Sequence, residues 1–79
     1  MSATQDLFFD IFSTVAGVPL EELATDATLD SLDVDSLLLI ELTVAVQKRT
    51  GVVIEETDMV PEATLGEIVA LLDKQLQEA

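Results

Sequence analysis

Residues 32–42 read Leu-Asp-Val-Asp-Ser-Leu-Leu-Leu-Ile-Glu-Leu, and this stretch decides how the rest of the chain is interpreted. An acidic segment ends just before Ser36, and an apolar run with helical spacing starts directly after this serine. Ser36 therefore lies at the N-terminus of a predicted helix, where free backbone N–H groups and the helix dipole favour a phosphate. The simplest role of a serine at this position is an N-terminal cap. Position alone favours the cap.

The composition leaves little chemistry to the chain itself. Among its 79 residues there is no His, Cys, Tyr or Trp, and 16 acidic residues face three basic ones, for a net charge of −13. Without Cys, neither a disulfide nor a thiolate metal site can form. The charge repels nucleic acid and anionic membranes. It would steer in a partner protein with a basic patch, or it only keeps the chain soluble.

We expect a single domain, residues 1–79, that is a discrete protein, because the chain begins with Met and ends soon after the last predicted helix. No stretch resembles a signal peptide, and no apolar run approaches the length of a membrane span. These features and the absence of Cys lead us to expect a cytoplasmic protein.

Helical spacing of the apolar residues predicts an all-α domain with four helices. Helix one is expected at about 4–16, after a capping-box pattern at residues 2–5. Helix two is expected at about 36–50, followed by Gly51. A short third helix is expected around 56–60, and a fourth starts with the capping-box pattern of residues 64–67.

A long loop, residues 18–35, separates the first two helices and carries six acidic residues. Four leucines are expected to anchor it to the core: Leu20, Leu23, Leu29 and Leu32. Residues 52–54, Val-Val-Ile, are expected to form a buried connector. A calcium loop starting at Asp26 would need Gly at position 31 and Glu at position 37, where Ser31 and Leu37 stand, so we exclude that site.

The tripeptide Asp-Ser-Leu occurs twice, at residues 30–32 and 35–37, so it is weak as a motif by itself. In context, however, residues 28–42 resemble the signature of acyl carrier proteins. The family places its modified serine in Asp-Ser-Leu at the start of helix two, with a Glu and an apolar residue one turn later. Five residues match those positions: Asp35, Ser36, Leu37, Glu41 and Leu42. The resemblance extends to the length, the helix order and the long first loop. It therefore favours Ser36 as the modified serine of the family over Ser36 as a cap.

The resemblance implies a four-helix bundle of the acyl-carrier-protein type and a function as carrier rather than enzyme, with no catalytic residues and no metal. A phosphopantetheinyl transferase would move 4′-phosphopantetheine from coenzyme A onto Ser36, and the thiol of that arm would hold acyl groups as thioesters. A chain without Cys must import its thiol in this way. Further implied partners are an acyltransferase, a ketosynthase or other acyl-processing enzymes with basic patches. The carrier itself is expected to be a monomer.

Departures from the family pattern suggest the pathway. Asp33 replaces a Gly that is common three residues before the serine, and Asp tolerates a positive φ better than most residues do. The apolar Leu38 resembles polyketide-type carriers, so we expect polyketide or related specialised biosynthesis. A carrier for fatty-acid synthesis and a carrier for an amino-acyl or unusual starter unit stay open. So does a non-carrier acidic helical module that only binds a protein, for which Ser36 would be a cap.

Two groups of residues are expected around Ser36. The residues expected to contact partner enzymes are Asp35, Leu37, Leu38 and Glu41. Leu38 is expected to be exposed beside the serine. Family architecture further suggests a pocket for the acyl chain between the helices, lined by Val44, Val60, Ala63 and Leu65.

Overall fold

A computed structural model of the protein describes residues 3–78. Within that range it contains three α-helices and three short 3₁₀ turns but no strand, which confirms the all-α class. The helices are α1 (Ala3–Ala16), α2 (Ser36–Thr50) and α3 (Leu65–Glu78), and the turns are Leu20–Glu22, Asp30–Leu32 and Glu56–Asp58. The helix expected around 56–60 is therefore only a 3₁₀ turn. No helix in residues 3–78 is long and apolar enough to span a membrane.

Local signals set the helix ends. Gly51 follows α2 with φ +78°, a left-handed conformation that costs glycine little, and its N–H closes the last turn of the helix. At the start of α3, the Glu67 N–H donates to Thr64 Oγ1 and the Thr64 N–H donates to Glu67 Oε1, both at 3.1 Å. This confirms the predicted capping box of α3. The box predicted at the start of α1 includes Ser2, which lies outside the described residues.

The core is built from one apolar face of each helix. α1 packs against both α2 and α3, which places it at the centre of the bundle. The largest fully buried side chains of the helices are Phe8, Ile11, Phe12, Leu42, Val46, Leu65, Ile68 and Leu72. Burying side chains of this size stabilises a domain by roughly 1.5–3 kcal/mol each before the entropy cost of ordering the chain. The core therefore depends on helix packing, as the composition predicts.

The long loop between α1 and α2 is held by the segment that leads into α3. The Leu29 N–H donates to the Ala63 carbonyl at 3.0 Å, and the Leu65 N–H donates to the Ala27 carbonyl at 2.9 Å. Next to them, the Gly66 N–H donates to the Thr25 carbonyl at 2.9 Å. These backbone bonds fix the loop, and with it the residues that enter α2.

Two predictions about the connecting segments need correction. Of the four leucines expected to anchor the loop, Leu23 and Leu29 are buried and Leu32 is half-buried, but Leu20 is 51% exposed on the rim of a surface groove. The connector 52–54 buries Ile54 but leaves Val53 60% exposed. Ile54 belongs to the core and Val52 packs against it, but Val53 does not reach the core, so the connector is buried only in part.

Candidate functional site

Asp35, not Ser36, caps α2. Its backbone is extended (φ −95°, ψ 178°), and its Oδ1 accepts a hydrogen bond of 2.8 Å from the Leu38 N–H. The Asp35 carbonyl accepts the Leu39 N–H at 3.0 Å. The cap suggested for Ser36 from its position is therefore wrong by one residue, because the preceding aspartate has the extended backbone of a cap and its side chain binds the Leu38 N–H.

Ser36 is consequently the first residue of α2 and is exposed. Among residues 3–78, neither its hydroxyl nor its backbone N–H has a hydrogen-bond partner, and the same holds for the Leu37 N–H. An alcohol that faces solvent and has no internal partner can be esterified without breaking any contact of the fold. Two free N–H groups beside it suit a phosphate, although the Asp35 carboxylate opposes a further negative charge there. The residues present thus fit a phosphoester-linked group.

The serine of the first Asp-Ser-Leu copy has a different environment. The Ser31 hydroxyl donates to the Thr28 carbonyl at 2.8 Å and accepts the Thr28 N–H at 3.1 Å. The Ser31 N–H in turn donates to Thr28 Oγ1 at 3.1 Å. This hydroxyl has a structural role in the loop, whereas that of Ser36 has none.

A left-handed residue directs the chain into α2. Asp33 has φ +58° and ψ +36°, and its N–H closes the 3₁₀ turn on the Asp30 carbonyl at 3.1 Å. It occupies the position where the sequence departs from the Gly of related carriers. An aspartate can adopt this conformation at lower cost than most residues, so the turn is kept despite the substitution.

The expected partner-contact residues separate by exposure. Asp35 and Glu41 are exposed, and Leu37 is 64% exposed. Leu38, however, is half-buried, so its predicted exposure is wrong. It lies four residues before the buried Leu42, and residues at this spacing share one face of a helix.

An exposed apolar stripe on α2 was not recognised from the sequence. Leu37, Ile40 and Val44 are 64%, 49% and 44% exposed and follow helical spacing from Ser36 onward. We call these three residues the α2 stripe. Their exposure could have been predicted from helical spacing, because they lie on the side of α2 opposite its buried residues, Leu42 and Val46.

The residues expected to line an acyl pocket also differ in their exposure. Ala63 and Leu65 are buried, but Val44 and Val60 are exposed at the surface. Two surface cavities of the described residues lie elsewhere. One of about 480 Å³ is bounded by α1 and the start of the long loop, and one of about 230 Å³ by α1 and α2. The acyl pocket therefore stays a prediction.

The electrostatic setting of Ser36 is acidic. Residues 18–47 contain seven carboxylates and no basic residue. Within residues 3–78, no cluster of acidic side chains could hold a metal ion. The surroundings of Ser36 thus favour approach by a basic protein surface.

Comparison with known proteins agrees with this description. The family described as phosphopantetheine attachment site matches residues 6–72, which places the chain among proteins that carry this group. The meromycolate extension acyl carrier protein of Mycolicibacterium smegmatis is 31% identical over 83 aligned residues, covering 99% of this chain and 84% of that protein. The acyl carrier protein of Rhodococcus erythropolis is 34% identical over 65 residues, covering 81% of this chain and 71% of that protein.

The corresponding meromycolate protein of Mycobacterium tuberculosis H37Rv is 31% identical over 70 residues, and the chain spans only 61% of its length. The chain belongs to the acyl carrier protein family. It is a carrier rather than an enzyme, and its cofactor is covalently attached 4′-phosphopantetheine. Proteins of this family work with a phosphopantetheinyl transferase and with acyl-processing enzymes.

Proposed function

We propose that Ser36 carries the 4′-phosphopantetheine arm and that the chain holds acyl intermediates as thioesters on it. The observation that supports this assignment is the exposed Ser36 hydroxyl, which has no partner within residues 3–78, while the Ser31 hydroxyl is bonded to Thr28. Esterifying Ser36 costs no internal hydrogen bond. Esterifying Ser31 would remove a donor from the loop.

The attachment is a phosphoryl transfer from coenzyme A. The Ser36 oxygen forms a bond to the phosphorus on the pantetheine side of the pyrophosphate. The bond from that phosphorus to the bridging oxygen breaks, and adenosine 3′,5′-bisphosphate leaves. The proton of the hydroxyl passes to a base of the transferase, so this chain contributes only an accessible nucleophile and a surface on which the enzyme docks.

The test is a mass measurement of the intact protein after incubation with coenzyme A and a promiscuous phosphopantetheinyl transferase. We expect a gain of one arm in the wild type and in Ser31→Ala, and none in Ser36→Ala. Circular dichroism shows whether each variant is folded. A folded wild type that gains no mass would support the rival function, an acidic module that only binds a protein.

For the cargo, we propose intermediates of polyketide or related specialised biosynthesis. The apolar Leu38 and the basic Lys48 and Arg49 near the end of α2 support this choice, because they replace the polar or acidic residues typical of fatty-acid carriers. A second candidate, acyl chains of the fatty-acid type, is supported by the meromycolate extension carriers to which the chain is similar. An amino-acyl or unusual starter unit is a third.

The cargo can be identified by weighing the carrier isolated from its natural source with its thioester intact. Acyl groups that retain oxygen along the chain would support the polyketide assignment. Fully reduced chains would support the fatty-acid type, and nitrogen in the acyl group would support an amino-acyl unit. Amide resonances of Ala63 and Leu65 that shift with acyl chain length would support the predicted pocket, which unchanged resonances would rule out.

We further propose that partner enzymes contact Asp35, Leu37 and Glu41, with Leu38 supporting them from its half-buried position. Exposed carboxylates beside an exposed apolar side chain suit an enzyme surface with a basic rim and an apolar centre. Glu41→Lys should raise the KM of the transferase at low salt, and an unchanged KM would count against the contact. We also propose that the chain acts as a monomer in the cytoplasm, where coenzyme A is available.

A further inference from the structure

A second surface feature lies between α1 and α2, away from the head of α2 where Ser36 stands. It is a notch of about 230 Å³ bounded by Ile11, Thr14, Val15, Ala45, Lys48 and Arg49. Ile11 is buried and Val15 and Ala45 are half-buried, so they form an apolar floor. Thr14, Lys48 and Arg49 are exposed at the rim. We call this feature the cationic notch.

The notch holds two of the three basic residues of a chain that has no basic residue before position 48. Arg49 Nη1 lies 3.5 Å from Asp10 Oδ2, with both side chains more than half exposed. Such an exposed pair is weak and can be exchanged for another carboxylate. The Lys48 side chain forms no hydrogen bond or ion pair with residues of the described range. Two cations beside an apolar floor are thus available to a ligand.

We propose that the cationic notch docks an acidic segment of a partner protein through one apolar anchor side chain flanked by carboxylates. Its volume is below the roughly 300–1,000 Å³ of pockets that enclose a small molecule, and it suits a single side chain. Anchors of this kind supply most of the energy at protein interfaces. Charge complementarity selects carboxylates around the anchor, since Lys48 and Arg49 form the rim.

The notch lies far enough from Ser36 for a partner to bind at both places. Lys48 follows Ser36 by 12 residues on the same helix, which corresponds to about 18 Å along its axis. A protein held at the notch would leave the head of α2 accessible. Tethering would raise the effective concentration of the carrier near that partner's active site. This inference goes beyond the proposed function and does not depend on modification of Ser36.

The test uses the unmodified full chain labelled with ¹⁵N and three hexapeptides. The probe is Asp-Asp-Phe-Leu-Glu-Glu. Lys-Lys-Phe-Leu-Lys-Lys reverses its charge, and Asp-Asp-Ser-Ser-Glu-Glu removes its anchor. We expect the probe alone to shift the amide resonances of Thr14, Val15 and Ala45 in a saturable way. At physiological salt the Debye length is about 8 Å, so distant acids of the chain repel the probe little.

The matched variants are Lys48→Glu and Lys74→Glu, which change the net charge equally. Lys74 lies on α3, outside the notch. We expect Lys48→Glu to weaken probe binding about fivefold or more, as reversal of an exposed charge contact allows, and Lys74→Glu to change it less than twofold. Thr14→Glu, at an exposed rim position, should weaken it as Lys48→Glu does.

Three results would overturn the proposal. One is no saturable shift with the probe, and another is equal binding of the serine peptide. The third is equal loss in both lysine variants, which would reduce the effect to net charge. Because the protein carries no arm in this experiment, these results are independent of the mass test on Ser36.

Discussion

Replacing Asp35 should separate the stability of α2 from recognition of the carrier. Asp35→Ala removes the 2.8 Å hydrogen bond from the Leu38 N–H and the carboxylate at the positive end of the helix. Loss of such a cap lowers the free energy of unfolding by about 1 kcal/mol. For a domain of this size, 1 kcal/mol corresponds to a fall in Tm of roughly 4–8 °C.

Asp35→Asn keeps an oxygen that can accept the same hydrogen bond but loses the negative charge. Removing one charge weakens the favourable contact with the helix dipole, by about 0.3–1 kcal/mol. It also relieves repulsion within a chain of net charge −13, which acts in the opposite direction. We therefore expect the Asn variant to unfold close to the wild-type temperature and clearly above the Ala variant.

The assay combines urea unfolding followed by circular dichroism with steady-state modification by a phosphopantetheinyl transferase. If the Asp35 charge contacts a basic enzyme surface, kcat/KM should fall about twofold to fivefold in both variants at low salt, the range of an exposed ion pair, and the difference should shrink at high salt. Asp26→Asn is the control, because it removes the charge of an exposed loop residue that caps no helix.

Two results would refute the reasoning. Equal loss of stability in the Asn and Ala variants would mean that the hydrogen bond to Leu38 does not hold the helix start. A kcat/KM for Asp35→Asn equal to that of Asp26→Asn would mean that the charge next to Ser36 is not a docking contact.

The remaining predictions concern single side chains. Ser31→Ala should lower the free energy of unfolding by about 1 kcal/mol, because the loop loses its hydrogen bonds to Thr28, whereas Ser36→Ala should leave it unchanged in urea unfolding. Gly51→Ala should cost about 1–2 kcal/mol in the same assay, because φ is +78°, even though nothing lies within 4 Å of the added Cβ. Leu37→Ala should slow modification with little change in Tm, while Leu38→Ala should lower Tm; the reverse outcome would contradict the exposures.

The helices were predictable because their ends are encoded locally. Gly51 stops α2 through its own backbone conformation, and Thr64 and Glu67 start α3 through bonds to each other. Neither signal depends on distant residues. The bounds expected for helices one and two therefore differ from the observed ones by at most one residue.

The loop could not be predicted in the same way, because its structure depends on residues far along the chain. Its bonds join Ala27 and Leu29 to Ala63 and Leu65, more than thirty positions away. No spacing within residues 18–35 reveals that partner. The position of Leu20 depends on how these backbone bonds hold the loop. Its apolar character alone therefore led to the wrong prediction that it faces the core.

The position of Ser36 in the fold was predictable, but the surroundings of its neighbours were not. Sequence spacing put Ser36 at the head of α2, yet Asp35 and Ser36 are both good caps, and only the backbone shows which one lies before the first helical residue. The same uncertainty affected Leu37 and Leu38. One step along a helix is about 100°, so an error of one residue moves a side chain from an exposed to a partly buried side of the helix.

The two Asp-Ser-Leu copies differ in what their serine hydroxyls contact. In the first copy, the Ser31 hydroxyl is bonded to Thr28, and Asp33 turns left-handed and ends the 3₁₀ turn. After the second, the chain continues as a helix, and the first-turn N–H of Leu38 is already bound by Asp35. Ser36 is then the first helical residue rather than the cap. The aspartate that holds the helix start is therefore also what leaves the Ser36 hydroxyl unpaired, and a hydroxyl without an internal partner is one that an enzyme can modify without disturbing the fold.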